Sequence, residues 1–138
     1  MKTNFESGRL YFTSYWYEGE LSHNIDSNRK SDQFQFQGLT FYFSLTYIAS
    51  KQSLIYRVFL TDGVETASKF TARITVFSHA SSELIHEVPV LSIEDLADMD
   101  SSQAYDKYWV VSYDEMRPFI QTRLRKCKSK VKVHVEVK

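Results

Sequence analysis

The chain has 138 residues, 43% of them hydrophobic and 25% charged, and its 17 basic and 17 acidic side chains cancel. That length suits one domain over 1–138, and that composition excludes an intrinsically disordered chain. No run approaches the roughly 18 apolar residues of a membrane span, and the single cysteine, Cys127, excludes an internal disulfide.

The polar start, 1–8, has no secretory character, and a lone thiol suits a reducing compartment, so the expected location is cytoplasm or nucleus. Residues 9–17 are rich in aromatic strand formers and predict a first strand. Glu18-Gly19-Glu20 breaks it. The segment 21–32 carries Asn24, Asp26, Ser27, Asn28 and Ser31 close together and is expected as a surface loop. Residues 33–37 alternate Gln and Phe, which predicts a short strand before a turn or bulge at Gly38.

Three alternating runs follow, 39–47, 54–60 and 70–76. Successive side chains of a strand point to opposite faces. One phase therefore gathers Leu39, Phe41, Phe43, Leu45 and Tyr47 with Leu54, Tyr56, Val58 and Leu60, then Phe70, Ala72, Ile74 and Val76. That phase is a core face. Short polar connections, including the turn pair Asp62-Gly63, predict that the three runs are antiparallel neighbours.

Residues 83–90 predict one more strand, ended by Pro89 or kept at an edge by it. Ser92 followed by early acids suits a short helix over 92–99. Residues 105–113 read as a strand. Met116, Phe119, Ile120 and Leu124 suggest a short helix over 114–124, capped by Asp114, with Pro118 tolerated in its first turn. At the end, Val131, Val133, Val135 and Val137 alternate with Lys132, His134, Glu136 and Lys138, the pattern of a half-buried strand. The fold class expected is all-β, an antiparallel β-sandwich of seven or eight strands with one or two short helical segments.

Signals of catalysis are missing. His23, His79, His86 and His134 lie in unrelated segments without metal-ligand spacing. Cys127 has basic neighbours but no assigned histidine partner. Four glycines build neither a phosphate loop nor a nucleophile elbow. The expectation is a non-enzymatic protein with no metal and no cofactor.

Charge is unevenly spread: 74–106 contains no Lys or Arg, whereas Arg117, Arg123, Arg125, Lys126, Lys128, Lys130, Lys132 and Lys138 face one acid, Glu136, near the end. A basic end of this kind can meet nucleic acid or an acidic partner. No aromatic platform interleaves the cluster at 123–130, which argues against single-stranded nucleic acid. The 10 Phe, 9 Tyr and 2 Trp supply a second candidate surface. Tyr42, Ile55 and Phe59 occupy the phase opposite the core face, beside threonines and Arg57. Neighbouring strands bring such residues into an apolar patch with a polar rim, the usual look of a protein-contact surface.

Taken with Phe70-Thr71-Ala72-Arg73-Ile74-Thr75-Val76, then Ser78-His79-Ala80-Ser81-Ser82-Glu83, Ser101-Ser102-Gln103-Ala104-Tyr105, Pro118-Phe119-Ile120 and the terminal valine strand, this order resembles the MATH domain, also called TRAF-like. The aromatic opening strand stands where that family has its Trp-x-Ile-x-x-Phe pattern. The resemblance implies an eight-stranded sandwich that binds short, extended, often Ser/Thr-containing peptides of other proteins. In the speckle-type POZ protein branch it implies substrate recruitment to a cullin ubiquitin ligase through a neighbouring BTB domain. It places Phe59 and Tyr105 on groove aromatics. Ala72 stands where a third ring is expected, and Asp114-Glu115-Met116 replaces the family's Trp-Gly-Phe. Asp114 and Glu115 would then favour a basic or hydroxyl-bearing peptide. The partners expected are peptide segments of other proteins, with a second copy of the chain, or an acidic partner of the basic end, as rivals.

Overall fold

The computed structural model describes residues 7–17, 28–48, 51–78, 82–92, 108–120 and 128–138. In chain order its strands are β1 (Arg9–Tyr17), β2 (Asn28–Phe36), β3 (Leu39–Ile48), β4 (Ser53–Leu60), β5 (Thr71–Phe77), β6 (Glu83–Pro89), β7 (Leu91–Ser92), β8 (Trp109–Ser112) and β9 (Lys128–Val137). Two short helices, α1 (Val64–Ala67) and α2 (Tyr113–Met116), and a 3₁₀ turn over Arg117–Phe119 complete the described elements. The four-stranded sheet has the order β1-β9-β5-β6, and the five-stranded sheet runs β2-β3-β4. The far edge of β4 is divided, with β8 pairing antiparallel at Ser53–Tyr56 and β7 pairing parallel at Phe59–Leu60. The protein is an all-β sandwich.

Alternation explains the core. Phe41, Phe43, Leu45, Tyr47, Leu54, Tyr56, Val58 and Leu60 of one sheet are fully buried, and Ala72, Ile74 and Val76 of β5 and the valines of β9 close over them from the other. Each such large side chain contributes about 1.5–3 kcal/mol by leaving water. Aromatic edges tie the sheets together: Phe12 of β1 meets Phe43 of β3 at 5.2 Å and 66°, and Phe41 meets Phe70 at 5.1 Å and 84°. Between β2 and β3, Gln37 (φ 52°) and Gly38 (φ 76°) form a two-residue turn in the left-handed region, which matches the twist of the strands it joins.

The third run of the expected meander lies elsewhere. β5 does not pair with β4. It sits between β9 and β6 in the opposite sheet. The connection after Leu60 holds the helical turn α1, long enough to carry the chain across the roughly 10 Å between packed sheets. Alternation fixed which side chains point inward but was blind to which sheet received them.

Other boundaries shifted too. Asn28–Asp32, expected in a loop, belongs to β2, because β3 supplies its ladder partners as far as Tyr47. Ser92 lies in β7, a short strand the sequence did not suggest, and not at a helix cap; the rest of the expected 92–99 helix falls outside the described residues. Of the strand expected over 105–113, β8 covers Trp109–Ser112, with 105–107 outside the described residues. The cap of α2 is Ser112 and not Asp114: the Ser112 hydroxyl accepts from Glu115 N, and Glu115 Oε1 accepts from Ser112 N. That reciprocal box satisfies two donors which would otherwise be orphaned.

Candidate functional site

The face of β3 and β4 turned away from the core is built from four cross-strand pairs, Tyr42 with Phe59, Ser44 with Arg57, Thr46 with Ile55 and Ile48 with Ser53. Tyr42 and Phe59 stack with centroids 5.3 Å apart and planes 17° from parallel, and both remain half-buried. Next in line on β2, opposite Tyr42, is the exposed Gln33. On the other side Phe59 pairs with Leu91 of β7, which is buried. The Arg57 guanidinium lies over the Tyr108 ring at 5.6 Å. This places a flat aromatic pair between a polar edge and a cation, at the end of β4 where β7 begins.

The same face changes character along the strands. Ser44, Thr46 and Ile55 are buried, with 1%, 6% and 6% exposure. Ser44 Oγ and Thr46 Oγ1 have no hydrogen-bond partner among the described residues. On the edge of β4 away from β3, the β8 pairing ends at Tyr56 and the β7 pairing starts at Phe59.

The expected site residues separate into groups. Tyr42 and Phe59 come together, as phase alone suggested. Ile55 shares their face but is sealed between Thr46 and Val110, so it offers a partner no surface. Met116 is a correction. Its side chain is fully buried, and its sulfur accepts a hydrogen bond from Tyr56 Oη at 3.1 Å. The helical turn that follows β8 directs this thioether into the core.

Glu115 is occupied as the second half of the Ser112 capping box, and Asp114 is paired with Arg117 at 2.8 Å. Both belong to α2, which starts after Ser112, the residue paired with Ser53 at the opposite end of β4 from Phe59. Ser53 and Phe59 are six residue steps apart along the strand, roughly 20 Å. The structure therefore does not unite these acids with the aromatic pair. Tyr105 lies outside the described residues. Tyr108 and Leu91 were not singled out from the sequence, because contact between segments so far apart in the chain leaves no periodic signal.

Among the described residues, no group of three or more His, Cys, Asp or Glu side chains is arranged to hold a metal ion. None of their helices is long and apolar enough to cross a membrane. The chain matches neither a protein-family model nor a curated protein.

Proposed function

We propose that this chain is a non-enzymatic interaction module of the MATH type that holds a short extended segment of another protein against the Tyr42–Phe59 end of β3 and β4. The observation that carries this reading is the stacked pair itself. Two large rings stay half-exposed on the sheet face opposite the core, already fixed against each other before any partner arrives. A preformed aromatic platform contributes contact area with little further loss of side-chain freedom, which favours binding. Its polar surroundings, Gln33 and Arg57, can orient peptide groups of the bound segment by hydrogen bonding.

The neighbouring edge supports an extended occupant. β7 is only two residues long, and the β8 pairing of β4 ends at Tyr56, so the described ladder on that edge of β4 is not continuous. Strand-like docking supplements side-chain pockets with main-chain hydrogen bonds. On this reading a partner is selected by one apolar or aromatic residue seated on Tyr42 and Phe59. If the module works beside a BTB domain in the cytoplasm or nucleus, its task is delivery of that partner to a cullin ubiquitin ligase.

The test is affinity capture with the wild-type chain followed by titration of the captured partner's peptides. Phe59→Ala and Tyr42→Ala are each expected to weaken binding by about tenfold or more, the size of a hot-spot truncation. Unchanged affinity for every captured partner in both variants overturns the assignment.

A further inference from the structure

The opposite face of the molecule carries a second organised surface. Strand register places Arg9, Glu136, Arg73 and Glu87 in one row straight across β1, β9, β5 and β6. The signs alternate, and neighbours are joined within the chain by Arg9–Glu136 and Arg73–Glu87 ion pairs, both at 3.2 Å. Two positions along, a second row runs Tyr11, His134, Thr75 and Ile85. Its ends, Tyr11 at 75% and Ile85 at 53%, are the exposed large hydrophobic side chains among the described residues. They stand on the two edge strands of the sheet.

We infer that this face docks against the same face of a second copy, about a two-fold axis parallel to the strands and midway between β9 and β5. That axis exchanges β1 with β6 and β9 with β5. Arg9 then meets the other copy's Glu87, Glu136 meets its Arg73, and Tyr11 meets its Ile85. Each contact occurs twice, as an isologous interface requires.

Alternatives are penalised by the same rows. An axis along β9 sets Glu136 against Glu136 and Arg9 against Arg73. An axis across the strands along the Arg9 row sets each of these four charges against its own copy. Like charges in such positions disfavour a wrong register. The four strands and the seven paired positions of β6 give a face of roughly 19 by 23 Å, at the low end for specific association, so the dimer is weak and concentration-dependent.

Sedimentation equilibrium from about 10 μM to 1 mM, the range where such an interface half-assembles, provides the readout. The wild-type chain is expected to shift from monomer to dimer over that range. Tyr11→Glu and Ile85→Glu, both at exposed positions, each weaken the dimer by about tenfold or more. Because Lys138 also pairs with Glu87 at 3.5 Å, the inversion combines Arg9→Glu, Glu136→Arg, Arg73→Glu, Glu87→Arg and Lys138→Glu, which preserves every ion pair of the row and across the axis. This inverted chain should self-associate within about threefold of wild type yet form no mixed dimer with it, since every crossing would join like charges.

A wild-type chain that stays monomeric throughout overturns the inference, as does a dimer unaffected by Tyr11→Glu and Ile85→Glu. So does free mixing of inverted and wild-type chains. If the inverted chain fails to fold, the two single variants decide the matter.

Discussion

Tyr42 and Phe59 face each other across β3 and β4 and stack at 5.3 Å, on the side of the sheet away from the core. An offset aromatic pair of this kind is coupled by about 0.5–1.5 kcal/mol beyond the area it buries. A double-mutant cycle on stability with Tyr42→Ala and Phe59→Ala should return a coupling in that range. Additive effects would mean that the rings do not support each other in the free chain, and the platform would lose its preorganisation.

Tyr56 and Met116 give an asymmetric prediction. The Tyr56 hydroxyl donates to the Met116 sulfur inside the core. Met116→Leu keeps the volume but strands the buried hydroxyl, at a cost of about 1–3 kcal/mol. Tyr56→Phe removes the donor and leaves a thioether that tolerates apolar surroundings, so it should cost less. Chemical denaturation of both variants checks the order. The reverse order would contradict the hydrogen bond.

Alkaline pH should expose the same residue. Burial pushes the Tyr56 hydroxyl far above its ordinary value of 10.0, and burial followed by the nearby Tyr113 raises Tyr47. Above pH 10 the unfolded chain loses these protons while the folded chain keeps them. The unfolded state then binds fewer protons, so stability is fully present below pH 10 and falls as pH rises above it. Denaturation midpoints across that boundary should decline, and Tyr56→Phe should flatten the decline. Flat midpoints in the wild-type chain would contradict this.

Gly8 is expected to tolerate no side chain. Its φ of +75° lies in the left-handed region, and an added Cβ would stand 2.9 Å from the Phe36 ring and 3.2 Å from the Val137 carbonyl oxygen. The residue links both sheets, donating to Gln35 O and accepting from Val137 N. Gly8→Ala combines backbone strain with a steric conflict, and should lower stability by about 1–3 kcal/mol. A thermal melt equal to wild type would show that the two sheets are not joined there.

The sequence carried the inward-facing side chains well, because period-2 alternation is a local signal and β3, β4, β5 and β9 all show it. It did not reveal that β5 had left the sheet of β4, since an alternating strand reads alike in either layer. Asn28–Asp32 looked like loop because its residues are polar, yet pairing with β3 overrides their weak strand preference. At the candidate site, phase located Tyr42 and Phe59 correctly on the outer face. Phase could not tell that Ile55, on that same face, would be buried, nor that α2 would turn Met116 inward. The cap at Ser112 was legible as Ser-x-x-Glu ending at Glu115, but the acid at 114 drew the boundary two residues late.

The proposed module stands or falls on Phe59. Its most direct measurement is the affinity of one captured partner peptide for the wild-type chain and for Phe59→Ala, with both shown by circular dichroism to be folded. The account predicts a loss of about tenfold or more on truncation of this ring. Equal affinities in two folded proteins would place the partner elsewhere on the molecule and contradict the account.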